Sequence, residues 1–194
     1  MEDKRITKTK RTLKHTLIRL LSGQSFEQIS ITQLCQEAEI SRITFYAHYS
    51  DKYALVDEIF QDMVEIGTAA YERKQRENNP GRDEALSYCN ILDSILELYY
   101  GHFDFFRHTA PDRNPYLAFA FYSIVLETVE GHTKRMDRRS RLRYSPKRIA
   151  GFLCYGIIGF INEGHAEKVP VEQLQREAKE LLMGVLRSRV LVRQ

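Results

Sequence analysis

The stretch Ser30-Ile31-Thr32-Gln33-Leu34-Cys35-Gln36-Glu37-Ala38-Glu39-Ile40-Ser41-Arg42-Ile43-Thr44-Phe45-Tyr46-Ala47-His48-Tyr49 decides how this chain is read. Ser30 and Gln33 form an S-x-x-Q capping box, in which the hydroxyl accepts a first-turn amide and the glutamine reaches back, so a helix begins there. Ile31, Leu34, Cys35 and Ala38 recur at helical spacing and supply its buried side. Ile40 is the apolar plug of a turn. Ser41 is a second N-cap, and Phe45 and Tyr49, four residues apart, give the next helix an inward edge. Two short helices around a tight turn make a helix-turn-helix.

With Phe45 and Tyr49 inward, Arg42, Ile43, Thr44, Tyr46 and His48 point outward. A hairpin that merely filled a core would bury Ile43 and Tyr46, so the exposed stripe is expected to meet a partner. A helix of about eight residues is about 12 Å long, which matches the roughly 12 Å width of the DNA major groove. Arg42 and Thr44 are the expected base readers, with Ser41 at the helix start and Ile43 suited to a thymine methyl. Phosphate contacts are expected from Thr32, Tyr46, His48 and Lys52, the last together with the free amides at the start of the following helix.

Charge supports this placement. The net charge is only +3, but residues 1–52 hold Lys4, Arg5, Lys8, Lys10, Arg11, Lys14, Arg19, Arg42 and Lys52 against Glu2, Asp3, Glu27, Glu37, Glu39 and Asp51, and the rest of the chain cancels. Between Lys4 and Arg19 there is no acidic residue. One end is expected to meet a polyanion, although a solvated charged helix explains any single cation equally well.

Further along, the periodicity is helical and no stretch alternates as a half-buried strand does. The spacing predicts helices over about 7–21, 51–77, 83–99, 103–109, 116–138, 147–165 and 171–190, with breakers at Asn78-Asn79-Pro80-Gly81, at 110–115, at 138–146 and at Val169-Pro170. The expected fold is all-α, with about nine helices. Residues 1–52 form a three-helix DNA-binding head, and residues 53–194 form a helical body for effector binding and dimerisation. Cys35, Cys89 and Cys154 lie in apolar patterns and read as buried thiols. The polar start MEDKRITKTK and the lack of a long apolar run lead us to expect a cytoplasmic chain.

Thr44-Phe45-Tyr46-Ala47-His48-Tyr49, with Lys52 after it and Phe26, Ile29 and Leu34 in register upstream, resembles the T-[FL]-Y-x-H-[FY] recognition helix of the TetR/AcrR regulators, over about residues 7–66. Glu39 stands where the pattern has Gly and would cost about 1 kcal/mol in a left-handed turn; Ile43 stands where a small residue is usual. Asp104-Phe105-Phe106-Arg107 and the stretch from Phe152 to Ile161 are similar to segments of a subgroup that includes the dihydroxyacetone-kinase-operon regulators. Gly164 stands where that subgroup has Trp.

The resemblance implies a homodimer whose two recognition helices enter successive major grooves of an inverted-repeat operator, about 34 to 36 Å apart. It also implies a repressor released by a small-molecule effector of unknown identity. Tyr99, Phe103, Phe106, Phe121, Tyr122 and Tyr155 are the candidate pocket residues, although core packing also explains aromatics at helical spacing. Phe152, Tyr155, Gly159, Leu174, Ala178, Leu181, Leu182 and Val185 are the candidate dimer interface, with Gly151, Gly156 and Gly159 allowing close helix approach. The basic run from Lys134 to Arg143 reads as a solvated loop sooner than as a second nucleic-acid surface.

A rival reading keeps the head and makes the body a platform for a protein partner. An enzyme is the weakest reading, because no Gly-rich phosphate loop, nucleophile elbow or metal-ligand spacing occurs. No cofactor and no metal are expected.

Overall fold

The computed structural model describes residues 4–109, 113–137, 142–188 and 191. Among these residues there are nine α-helices and no β-strand, as the periodicity requires: α1 Lys4–Leu21, α2 Ile31–Glu37, α3 Arg42–Tyr46, α4 Lys52–Asn78, α5 Glu84–Gly101, α6 Phe103–Phe106, α7 Pro115–Asp137, α8 Pro146–Ala166 and α9 Val171–Arg187. A single 3-10 turn, Phe26–Gln28, lies between α1 and α2. Residues 138–141 of the basic run and 110–112 of the expected loop lie outside the described residues.

Two compact units emerge. One holds the chain up to Glu65 together with Tyr100–Phe121. Its core is the inner stripe of α1 (Leu13, Leu17 and Leu21) against Phe26, Ile29, Leu34, Phe45, Leu55, Val56, Phe105, Phe106 and Leu117, all buried. This unit reaches past the division at residue 52 drawn from the motif. Phe105 packs edge-on against Phe60 at 5.5 Å, and the buried Asn114 accepts a hydrogen bond from the Phe26 amide at 2.6 Å while donating one to the His108 carbonyl at 2.6 Å. Arg113 donates to the Leu21 and Ser22 carbonyls at the end of α1, where free carbonyls need donors.

The second unit holds Ile66–Tyr99 and the described residues from Tyr122 onward. Here α8 and α9 pack closely through Gly164, where a Cβ would collide with Leu174. Gly151, Gly156 and Gly159, the expected close-approach glycines, have open space beside them within this chain. The α8 to α9 turn is a Schellman motif. Lys168 takes a left-handed φ of 60°, Val169 N–H donates to Gly164 O at 2.9 Å, and Lys168 N–H donates to His165 O at 3.0 Å. Cys35, Cys89 and Cys154 are free and buried, and burial pushes the Cys154 thiol up to about 12.

Candidate nucleic-acid interface

The helix-turn-helix is built by its caps. Ser30 Oγ accepts the Gln33 amide at 3.1 Å and starts α2; Ser41 Oγ accepts the Thr44 amide at 3.0 Å and starts α3. Between them Glu39 adopts φ 55°, with Ile40 N–H bonded to Cys35 O at 3.0 Å and Glu39 N–H to Gln36 O at 3.1 Å. The turn is therefore a Schellman motif with a glutamate in the place that favours glycine, and the left-handed strain expected of Glu39 is present. The α-helical part of α3 is five residues long, shorter than the eight expected. Beyond Tyr46 the chain tightens, with His48 N–H donating to Phe45 O.

Phe45 and Tyr49 are buried, and the opposite side of α3 faces solvent. Ile43 is 84% exposed and Tyr46 49%, while Thr32, Ser41 and Arg42 are exposed as well. The Arg42 guanidinium lies 5.9 Å from the Tyr46 ring centre. Two expected readers are less available. Thr44 is half-buried with its hydroxyl 2.8 Å from Ser41 Oγ, and His48 is half-buried.

Lys52 differs most from expectation. Its ammonium donates to three backbone carbonyls, Phe26 at 2.7 Å, Glu27 at 3.0 Å and Ile29 at 2.8 Å, and sits 4.6 Å from the Phe26 ring centre. An ammonium has three donors, so none remains for the phosphate contact expected of it. Burial lowers its pKa, and the nearby Glu27 charge opposes that shift. Lys52 is thus an internal strut that satisfies the carbonyl end of the 3-10 turn. The amides at the start of α4 are also partly used, since Asp51 Oδ1 accepts the Ala54 amide at 2.9 Å.

The basic face of α1 is divided in the same way. Lys10 reaches Glu58 at 3.1 Å, Lys14 pairs with Glu58 at 2.7 Å and with Asp62, and Arg19 pairs with Glu37 at 2.9 Å. Burial opposes a charge on Lys14, but Asp62 and Glu58 outweigh it and raise its pKa; burial likewise opposes ionised Glu58, yet Lys14 and Lys10 hold its pKa low. Lys4, Lys8 and Arg11 are exposed and have no ion pair among the described residues.

No family model matches the chain. A curated relative from Bacillus subtilis (strain 168), described as an uncharacterized HTH-type transcriptional regulator, YxbF, is 28% identical over 61 residues, which is 31% of this chain and 16% of that protein. Among solved structures, a chain from Syntrophomonas wolfei assigned to the TetR-family regulators superposes with a TM-score of 0.75 at 11% identity, covering 96% of this chain and 99% of the other. A TetR regulator from Streptococcus agalactiae gives 0.61 at 19% identity over 93% and 97% of the two chains. The dihydroxyacetone kinase operon activator DhaS gives 0.56 at 17% identity over 95% and 98%.

The chain has the TetR-family fold.

Within this TetR-family fold the six candidate pocket aromatics fall in both units. Phe103, Phe106 and Phe121 belong to the first unit, where Phe106 and Phe121 lie 4.7 Å apart and Phe103 is exposed. Tyr99, Tyr122 and Tyr155 belong to the second, with Tyr122 and Tyr155 4.5 Å apart. The second unit has a cavity of about 590 Å³ at the C-terminal end of α4 and an apolar one of about 70 Å³ beside Tyr88, Leu92, Val125 and Cys154. None of the six aromatics lines either cavity. Phe105 and Phe106 of the short α6 are buried in the core of the first unit.

The expected dimer residues also divide. Leu174, Ala178 and Leu182 are buried within the chain and so are unavailable to a partner, whereas Phe152 (60% exposed), Tyr155 (66%), Gly159 and Leu181 face solvent and Val185 is half-buried. One stripe of α9 packs on α8, and the residues offset from it remain outside.

Proposed function

We propose that the chain is a sequence-specific DNA-binding transcriptional regulator acting as a homodimer in the cytoplasm. Residues 1–52 carry DNA recognition and residues 53–194 carry effector binding and dimerisation. The observation behind this reading is the outer face of α3, where a capped helix one turn long holds Phe45 and Tyr49 inward and leaves Arg42, Ile43 and Tyr46 in solvent. Ile43 and Tyr46 together, with Arg42 beside them, make an exposed apolar surface with a polar rim, of the kind that a partner covers.

In this reading Arg42 and Ile43 read bases, with Ser41 and Thr44 setting the start of the helix. Thr32, Tyr46 and His48 contact phosphates, joined by Lys4, Lys8 and Arg11. The exposed Phe152, Tyr155, Gly156 and Gly159 of α8, with Leu181 of α9, form the surface for the second copy; the open glycines let a facing helix come close. The regulator acts as a repressor, and an effector in the body weakens DNA binding by about 5- to 150-fold for a coupling of about 1 to 3 kcal/mol.

Selection of DNA from a random pool by the purified protein, followed by anisotropy titration on the selected sequence, tests this. An inverted repeat is expected, and Arg42→Ala is expected to cost about 1 to 3 kcal/mol on that sequence and little on random DNA. Recovery of no enriched sequence would sink the proposal.

A further inference from the structure

We propose that the cavity at the C-terminal end of α4 binds a small organic anion with a flat apolar portion, its acidic group held by Arg82 and Arg135. The cavity, about 590 Å³, lies wholly in the second unit and is lined from the end of α4, the α4–α5 turn, the start of α5 and α7. That volume is in the range of organic-ligand sites, whereas the 70 Å³ cavity is far below it.

The charge of the lining is one-sided, with Arg76, Arg82 and Arg135 against Glu84. Four basic groups elsewhere in this unit are matched: Arg73 and Lys74 pair with Glu97, Lys134 with Glu130, and Lys179 with Asp93. Arg82 and Arg135 have no ion pair among the described residues, and Arg76 only the long 3.9 Å approach of Glu72. Guanidinium groups from separate segments on one cavity suit a carboxylate or phosphate, which they bind in bidentate fashion.

The floor is built in advance. Buried Asn79 donates to Gln75 Oε1 at 2.8 Å and Ser87 Oγ at 2.9 Å and accepts the Asp83 amide at 2.8 Å, so the turn that carries Arg82 is held without a ligand. Arg82 itself has φ 56°, while Gly81 beside it has no positive φ. The strained position therefore falls on the arginine and not on the glycine that would take it freely. Tyr71 and Met136 supply the apolar wall.

The test is direct binding without DNA. The fluorescent anion 8-anilino-1-naphthalenesulfonate is titrated into the full chain and then displaced by 1-naphthoate, 1-naphthyl phosphate and neutral 1-naphthol. Both anions are expected to displace it at least tenfold better than naphthol, and the better of the two assigns carboxylate or phosphate. Arg82→Gln with Arg135→Gln is expected to weaken probe binding about tenfold or more, and Arg148→Gln to leave it unchanged. Arg82→Gly separates binding from folding, because it relieves the backbone and removes the cation: higher melting temperature, weaker binding. Equal displacement by naphthol, or undiminished affinity in the folded double variant, overturns the site.

Equating this site with the effector site rests on the regulator reading above. Operator anisotropy with and without 1-naphthoate tests that step separately, so a chain that binds naphthoate but no DNA would defeat the regulator reading and leave the cavity standing.

Discussion

The two units of the chain spend their positive charge in opposite ways. In the first unit, Lys10, Lys14, Arg19 and Lys52 look in sequence like part of a polyanion surface, yet each is bound within the protein to a carboxylate or to carbonyls. Over residues 53–194 the cations cancel the acids in number, yet Arg82 and Arg135 of the second unit have no ion pair among the described residues and line a cavity. Net charge along a chain therefore counts cations without saying which of them are free. Only a cation whose partner is missing in the fold can recruit a ligand.

The sharpest way to break this comparison is Lys52→Met. Loss of three carbonyl hydrogen bonds around a half-buried ammonium is expected to cost about 2 to 4 kcal/mol of stability, read by urea unfolding, with little change in the salt dependence of DNA binding by the folded fraction. A stable variant with a flatter salt slope would return Lys52 to the phosphates. Next comes Asn114→Ala, which leaves the Phe26 amide and the His108 carbonyl without their partner and is expected to cost about 2 kcal/mol. Unchanged stability would mean that Tyr100–Phe121 contributes nothing to the first unit.

A smaller effect is expected from Glu58→Gln, about 1 kcal/mol at neutral pH for a partly exposed network. Glu58 has a lowered folded pKa, so its contribution is full above the ordinary value of 4.5 and is lost as pH falls through the folded value. The difference between wild type and variant should therefore shrink in acid. A difference that does not vary with pH would show that packing, not charge, is responsible. Least of all, Glu39→Gly should raise stability by a few tenths to about 1 kcal/mol, since relief of the left-handed strain is partly offset by the freer unfolded chain.

Much of the fold was legible because its signals are local. The serine caps at Ser30 and Ser41, the inner stripe of Leu13, Leu17 and Leu21, and the breaker after Asn78 each act within a few residues, where helical spacing alone dictates the neighbours. The outer face of α3 followed from the same rule, since burying Phe45 and Tyr49 leaves Ile43 nowhere else to point. The apolar stripe of α9 is ambiguous for a related reason: periodicity marks an apolar face without saying whether α8 or a second copy covers it.

The sequence by itself determined which segments are helices, where they start, and which residue types line the outer face of α3. The tertiary structure alone decided that Lys52 ties down carbonyls, that Gly164 packs against Leu174 within the chain, and that Arg82 and Arg135 share a cavity. Those outcomes depend on groups many residues apart in the chain. Their energies depend on distance and on competition for hydrogen bonds, and no local pattern encodes either.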